Sequence, residues 1–340
     1  MNQSRFVTIK DVAKEAGVSI GAVSKVLHGR GGNIRVSEAT AQRIRDAART
    51  LNYRPNYHAR SLRSGRSRSV GVVATSAHAV GDRGMYGAYL LDRLTTVLHA
   101  KGYSLNMAPE LMPLPDLQGL SDGRFDGLVW LNMVPHGPLV EAFYGSPVPV
   151  VAIGGIYGET PERGALFLID EEESYRVILD HLAGLGHQNL LYSDRAIDRY
   201  DALGEARAEG LAAAAKERGL TITIRASANA EEAFAVWNAL SPRPTAIVAY
   251  SDHRGAMLMQ RARDHGVDVP GEVSILTFDG SPFSLWGWPG LTTIRPPVDN
   301  LADHAIEHLI QQMERLPVEP ILETLRVTLD EAGSTGPAPK

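Results

Sequence analysis

The stretch Thr8–Leu27, TIKDVAKEAGVSIGAVSKVL, holds two short helical patterns with only AGVS between them. Thr8 suits an N-cap, and Asp11 three residues on reinforces it as in a capping box. Ile9, Val12, Ala13 and Ala16 recur at the spacing of one helix face. Gly17 fits the left-handed position that ends a helix. Ser19 can cap a second helix, whose apolar side is Val23, Val26 and Leu27. Two helices joined by a three- or four-residue turn containing Gly make a helix-turn-helix.

In such a motif the N-terminal part of the second helix reaches base edges in the major groove. The side of that helix left over from packing carries Ile20, Gly21, Ser24, Lys25 and His28. Ser37 caps a third helix, with Thr40, Ile44, Ala47 and Leu51 on one side, and three such helices can enclose a small core. Charge agrees with this reading. Residues 1–69 contain 14 Lys/Arg against 4 acids, whereas the remainder carries 20 bases and 35 acids. A basic head on an acidic body is the pattern of a nucleic-acid binder joined to something else. With no Cys in 340 residues, disulfides and thiolate metal sites are excluded. The start, MNQSRFVTIK, lacks the apolar core of a secretory signal, and no apolar run approaches a membrane span, so a soluble cytoplasmic protein with no membrane partner is expected.

After the third helix comes LNYRPNYHARSLRSGRSRSVGVV (Leu51–Val73). Pro55 interrupts the chain, Asn56 can start a short helix through about Arg63, and a Ser/Arg/Gly linker leads into a strand. With TIKDVAKEAGVS, AVSKVL, VSEAT, LNYRPN and ARSL in this order and spacing, the chain resembles the LacI/GalR family of bacterial transcription regulators, as far as about residue 330. The resemblance implies base reading at Ile20, Gly21 and Lys25. Gly21 offers no side chain to a base, and Ile20 can touch only a thymine methyl. The GRGGNIR loop adds two Arg for phosphates. It also implies a minor-groove hinge helix over Asn56–Arg63, with Leu62 as the intercalating wedge and Ala59 as its small neighbour. The candidate DNA-contacting residues are therefore Thr8, Ser19, Ile20, Gly21, Ser24, Lys25, His28, Asn56, Ala59, Leu62 and Arg63.

From residue 70 onward, strand-like runs (SVGVVAT, YSLNMA, DGLVWL, VPVVAI, NLLYS, TAIVAY, VSILTF) alternate with amphipathic helices, among them Tyr86–Lys101, Glu171–Leu185 and Glu205–Arg218. Such alternation means parallel sheets covered by helices, and the length calls for two α/β lobes. The resemblance implies a periplasmic-binding-protein-like body that closes on a small molecule, its C-terminal segment returning to the first lobe. The expected organisation is a helix-turn-helix head over 1–54, a hinge and linker over 55–69, a two-lobed effector and dimerisation domain over 70–330, and a flexible tail, GSTGPAPK, within 331–340.

By the same resemblance Arg207 (in RAEG) and Asp279 (in TFDG) contact the effector, with Tyr86 and Ser251 at further contact positions. Arg and Asp facing across a cleft suit a polyhydroxyl or heterocyclic ligand. Trp286, near Asp279, can stack on a sugar face or simply pack. Asp252 sits at a helix start and can act as a cap. Glu171, Glu172 and Glu173 read as acids favoured by a helix dipole. His304 and His308 stand at i, i+4, but nothing beyond Asp303 and Glu307 completes a metal site, so no metal or cofactor is expected. No G-x-S-x-G elbow, P-loop, H-E-x-x-H or G-x-G-x-x-G occurs. The expectation is a homodimeric repressor that binds a near-palindromic double-stranded operator under control of a small molecule, a carbohydrate by resemblance. An α/β sugar-processing enzyme and an effector-independent DNA binder are the alternatives.

Overall fold

The computed structural model describes residues 7–29, 33–54, 61, 65–74, 85–107, 122–133, 143, 145–155, 164–195, 202–281, 284 and 290–340. The head shows how closely its caps follow the sequence. Helix α1 (Ile9–Ala16) begins where Asp11 accepts hydrogen bonds from both the amide and the hydroxyl of Thr8, at 2.8 and 2.6 Å. It ends at Gly17, whose φ of 65° turns the chain so that Val18 N–H reaches Ala13 O at 3.0 Å. Ser19 accepts from Ala22 N–H and starts α2 (Ile20–His28), and Ser37 accepts from Thr40 N–H and starts α3 (Glu38–Thr50). Val12, Ala13, Ala16, Ala22, Val23, Ile44 and Ala47 form the core. On α3 it is Ala41, not the expected Thr40, that is buried with Ile44 and Ala47, a rotation of the stripe by one residue.

Contacts divide the chain into two compact units, residues 1–67 and 68–340. The expected hinge helix falls mostly on residues outside those described, Asn56, Ala59, Leu62 and Arg63 included. In the second unit the strands are β1 (Ser69–Ala74), β2 (Ser104–Met107), β3 (Gly127–Met133), β4 (Val150–Gly155), β5 (Ala165–Ile169), β6 (Asn189–Arg195), β7 (Thr221–Ser227), β8 (Ala246–Ala249), β9 (Ser274–Phe278), β10 (Thr292–Arg295), β11 (Ile321–Leu325) and β12 (Thr328–Asp330). The helices are α4 (Met85–Ala100), α5 (Glu171–Gly184), α6 (Ala202–Glu217), α7 (Ala230–Ala239), α8 (Asp252–Asp264) and α9 (Val298–Met313).

Two six-stranded sheets result. The first has the order β11-β5-β4-β3-β1-β2 and is parallel throughout; the second, β12-β10-β9-β8-β6-β7, is parallel except for β12 against β10. Alternation within single strands buries both faces. On β3, Val129 and Leu131 join the cluster under α4 and α9, while Leu128 and Trp130 pack with Phe143 on the other side. On β6, Leu190 and Tyr192 face α5 and α6, and Leu191 faces α7 and α8. The strands β5, β7, β10, β11 and β12 were not distinguished in the sequence; β12 is only 3 residues long, and β7 and β11 are mostly exposed or half-buried.

The chain passes between the lobes three times: between β5 and α5, between β10 and α9, and between β11 and β12. Helix α9 and strand β11 return to the first lobe as expected, but the chain then goes back. Residues 331–340, expected to be a flexible tail, are instead docked on the second lobe. Ser334 Oγ donates to Ile275 O at 2.6 Å and accepts from Thr292 N–H, and Ile275 N–H donates to Ser334 O. His187, fully buried, lies 3.0 Å from Gly336 O through Nε2 and 2.9 Å from Thr245 Oγ1 through Nδ1. Because a carbonyl can only accept, Nε2 carries the proton and Nδ1 accepts from Thr245. Composition suggested disorder; a row of backbone partners overrides it.

Candidate effector cleft and DNA-reading face

Helix α6 delivers Arg207 into a nearly closed environment. Its guanidinium donates through Nε and Nη2 to the carboxylate of Glu171, at 2.7 to 3.2 Å, and lies over the rings of Phe278 (4.3 Å) and Tyr250 (5.5 Å). Only 7% of Arg207 is exposed. Burial opposes its charge, but Glu171 outweighs that and holds the guanidinium well above its ordinary range. Glu171 is the first residue of α5, two positions past β5 and thus just beyond the first crossover. The cap of α5 is Asp170, which accepts from Glu173 N–H, and Glu173 pairs with Arg176. Glu171 is therefore not merely a helix-start acid, as its sequence context suggested, and only its partner 36 positions away reveals this.

Asp279 follows β9 with φ at 103°, a strained setting for a residue with a side chain. Burial pushes its carboxyl up to about 7, and the like charge of Asp252 adds to this; Arg207 and a hydrogen bond from the Asp252 amide pull the other way. Asp252 itself is fully buried and accepts from Thr277, Thr293 and both the amide and hydroxyl of Ser281. It ties the loop after β9 to the start of α8. The cap of α8 is Ser251, accepting from Arg254 N–H at 3.3 Å, one residue before the position where the sequence suggested a cap.

Tyr86 comes from α4 of the first lobe. Burial raises its phenol pKa, the charges of Asp279 and Glu171 add, and that of Arg207 opposes. It therefore lies within electrostatic reach of the second-lobe set, and its buried hydroxyl has no hydrogen-bond partner among the described residues. Arg207 thus touches Glu171, Tyr250 and Phe278, and the charges of this set reach Asp279 and Tyr86. Ser251 lies at the adjoining helix start, and Trp286 lies outside the described residues. His304 Nδ1 meets Glu323 at 2.8 Å, while His308 packs edge-on against Phe167. Among the described residues no three His, Cys, Asp or Glu could hold a metal ion.

On the head, Ile20 is 45% exposed at the start of α2, with Ser24, Lys25 and His28 partly exposed on the turns that follow. His28 approaches the ring of Tyr53 at 6.5 Å. Gly21 lies under Ile34: a Cβ there would come 2.8 Å from Ile34 Cδ1. The loop before α3 therefore reaches back over α2, which the sequence did not reveal.

A two-lobed α/β cleft of this kind, on a chain that also carries a helix-turn-helix, defines a ligand-responsive DNA-binding protein. The pattern for bacterial regulatory proteins of the lacI family matches residues 8–56, and that for a periplasmic binding protein-like domain matches residues 179–335. The chain is 28% identical over 340 residues to the HTH-type transcriptional regulator GalR of Escherichia coli K12, covering 95% of this chain and 94% of that one. The lac repressor dimer bound to operator and the anti-inducer ONPF superposes with a TM-score of 0.79 at 22% identity, covering 98% of this chain and 100% of that one. A transcriptional regulator CelR–cellobiose complex gives 0.66 at 22% identity, covering 96% and 99%. The chain belongs to the lacI family of bacterial regulatory proteins and is a DNA-binding transcription regulator, not an enzyme. Among the described residues no helix is long and apolar enough to cross a membrane.

Proposed function

We propose that this regulator is a cytoplasmic homodimeric repressor whose two heads read a near-palindromic operator, and whose cleft binds a carbohydrate that changes the angle between the lobes. The observation that carries the reading is the bonded pair of Arg207 and Glu171 on the second lobe, with Tyr86 of the first lobe within reach of its charges and those of Asp279. A ligand gripping both sides favours one lobe angle over another, and its differential affinity biases DNA binding by about 1–3 kcal/mol. The operator-bound dimer and the cellobiose complex among the similar structures support the dimer and the ligand class. A single head makes few contacts, and two on a two-fold axis read two half-sites.

In this reading Ile20, Ser24, Lys25 and His28 face the major groove, with Thr8 and Ser19 at the helix starts beside the phosphates. Asn56, Ala59, Leu62 and Arg63 serve the minor groove, Leu62 as wedge. Selection of bound DNA from a random library should return a near-palindrome, and screening mono- and disaccharides, sugar phosphates and nucleobases on that complex should find a carbohydrate that shifts its affinity. A single asymmetric site, or indifference to every sugar, would overturn it. Leu62→Ala should weaken operator binding and reduce DNA bending with little change in melting.

A further inference from the structure

We infer that Glu171 sets the charge class of the effector: by occupying Arg207 it makes the cleft one for uncharged, hydroxyl-bearing ligands and excludes phosphorylated or carboxylate ones. The inference deepens the effector reading above. Arg207 is the side chain that would ordinarily receive an anion, because its planar fork matches phosphate and carboxylate. Here one edge of that fork, Nε and Nη2, ends on Glu171, so the cation already faces a carboxylate, and the ring of Phe278 covers its face at 4.3 Å. A phosphate binding that edge would have to displace Glu171, leaving its carboxylate with no partner in a site where its side chain is 18% exposed, and one approaching Nη1 would meet a cation whose charge Glu171 already offsets.

The rest of the described wall offers no compensation. Asp279 adds a second carboxyl group, and the fully buried Asp252 lies close enough for its charge to act on it. Arg254, on the neighbouring helix α8, is turned to Ser227, donating to its hydroxyl and carbonyl at 3.2 and 3.0 Å. Hydroxyl groups suit the same wall. They donate to the free lone pairs of Glu171 and Asp279, and one can pair with the unpartnered hydroxyl of Tyr86.

The test is calorimetric titration of the full chain with inorganic phosphate. Native protein should take up none at the cleft. Glu171→Gln should release Arg207 and gain saturable phosphate binding, on the order of tenfold or more in affinity. Glu171→Gln/Arg207→Met, which removes both charges at similar volume, should lose that gain. Phosphate held by the basic head persists in the double variant and is subtracted. Binding by native protein that disappears in the double variant overturns the inference, as does a folded Glu171→Gln that gains nothing. If Glu171→Gln does not fold, native against double variant still decides: equal uptake supports exclusion and greater native uptake refutes it. None of these titrations requires DNA, so indifference of the operator complex to sugars would sink the effector reading without deciding this one.

Discussion

Lys25 shows what a single residue of the head can be asked. It lies on α2 one turn beyond the exposed Ile20, where an ammonium can donate to guanine O6 or N7. Lys25→Ala should cost about 1–3 kcal/mol of operator affinity, concentrated at one base pair per half-site; a uniform loss across sequences in a binding-site scan would make it a phosphate contact. In the body, Asp279 has its carboxyl pushed up to about 7. A ligand hydroxyl donates more strongly to its ionised form than to its neutral one, so effector affinity should rise as pH rises through 7 and level off above. Asp279→Asn should weaken binding and flatten that profile in calorimetry across pH 5 to 9, a range about two units either side. On the stability of the empty protein the sign is opposite. The folded state holds this proton more tightly than the unfolded one, so the contribution is present at low pH and is lost as pH rises toward 7. Arg207 and Asp279 were legible through the motifs RAEG and TFDG. Glu171 was not, because an acid at a helix start already has a sufficient local explanation and its partner is remote.

Among the elements, the three head helices were legible nearly to the residue, since their caps are local: Thr8 with Asp11, Gly17, Ser19 and Ser37 act within four positions. The C-terminal segment was misread for the converse reason. Its Ser, Thr, Gly and Pro carry no apolar pattern, and its order comes from hydrogen bonds to β9, β10 and the turn between α5 and β6. Burial lowers the pKa of both His187 and His181, which bond Gly336 and Thr335. Above the ordinary histidine value of 6.5 both are neutral folded or unfolded, and the docking contributes fully. As pH falls below that, the unfolded chain takes up protons that the folded one resists, and stability is lost through the lowered folded values. Deleting residues 331–340 should leave buried acceptors and donors unmet, cost a few kcal/mol, and lower the body's melting temperature by about 5 °C. Thermal melts from about pH 8 to 5 should also lose part of their acid slope in the deletion. Unchanged melting at neutral pH would mean that the tail contributes nothing.

For the whole molecule, the alternation of strands and helices made parallel sheets legible, but not the contacts that fasten the connections between the lobes. Those join segments distant in sequence. Asp170 N–H donates to Leu325 O at 2.9 Å, tying the first crossover to the third. Arg295, the last residue of β10, stands at the second. Its Nη1 donates to Gly280 O at 2.6 Å and its guanidinium pairs with Asp330 of β12, just past the third. Gly280, at φ 55°, lies so close that a Cβ would come within 2.6 Å of Arg295 Cα. The loop that presents Asp279 is thus fastened to two of the three connections between lobes. If the proposed effector binds Asp279, a pull there is passed to these connections, which would give it a physical route to the lobe angle. Arg295→Met keeps the stem and roughly the volume but removes both attachments. Effector affinity should then hold within about threefold, and operator affinity without effector should hold likewise, while the factor by which effector changes operator affinity falls from about tenfold or more toward one. Anisotropy titrations of operator with and without saturating effector give all three quantities. If the factor survives and only the melting temperature drops, Arg295 is a clamp for stability and the lobe angle is set elsewhere.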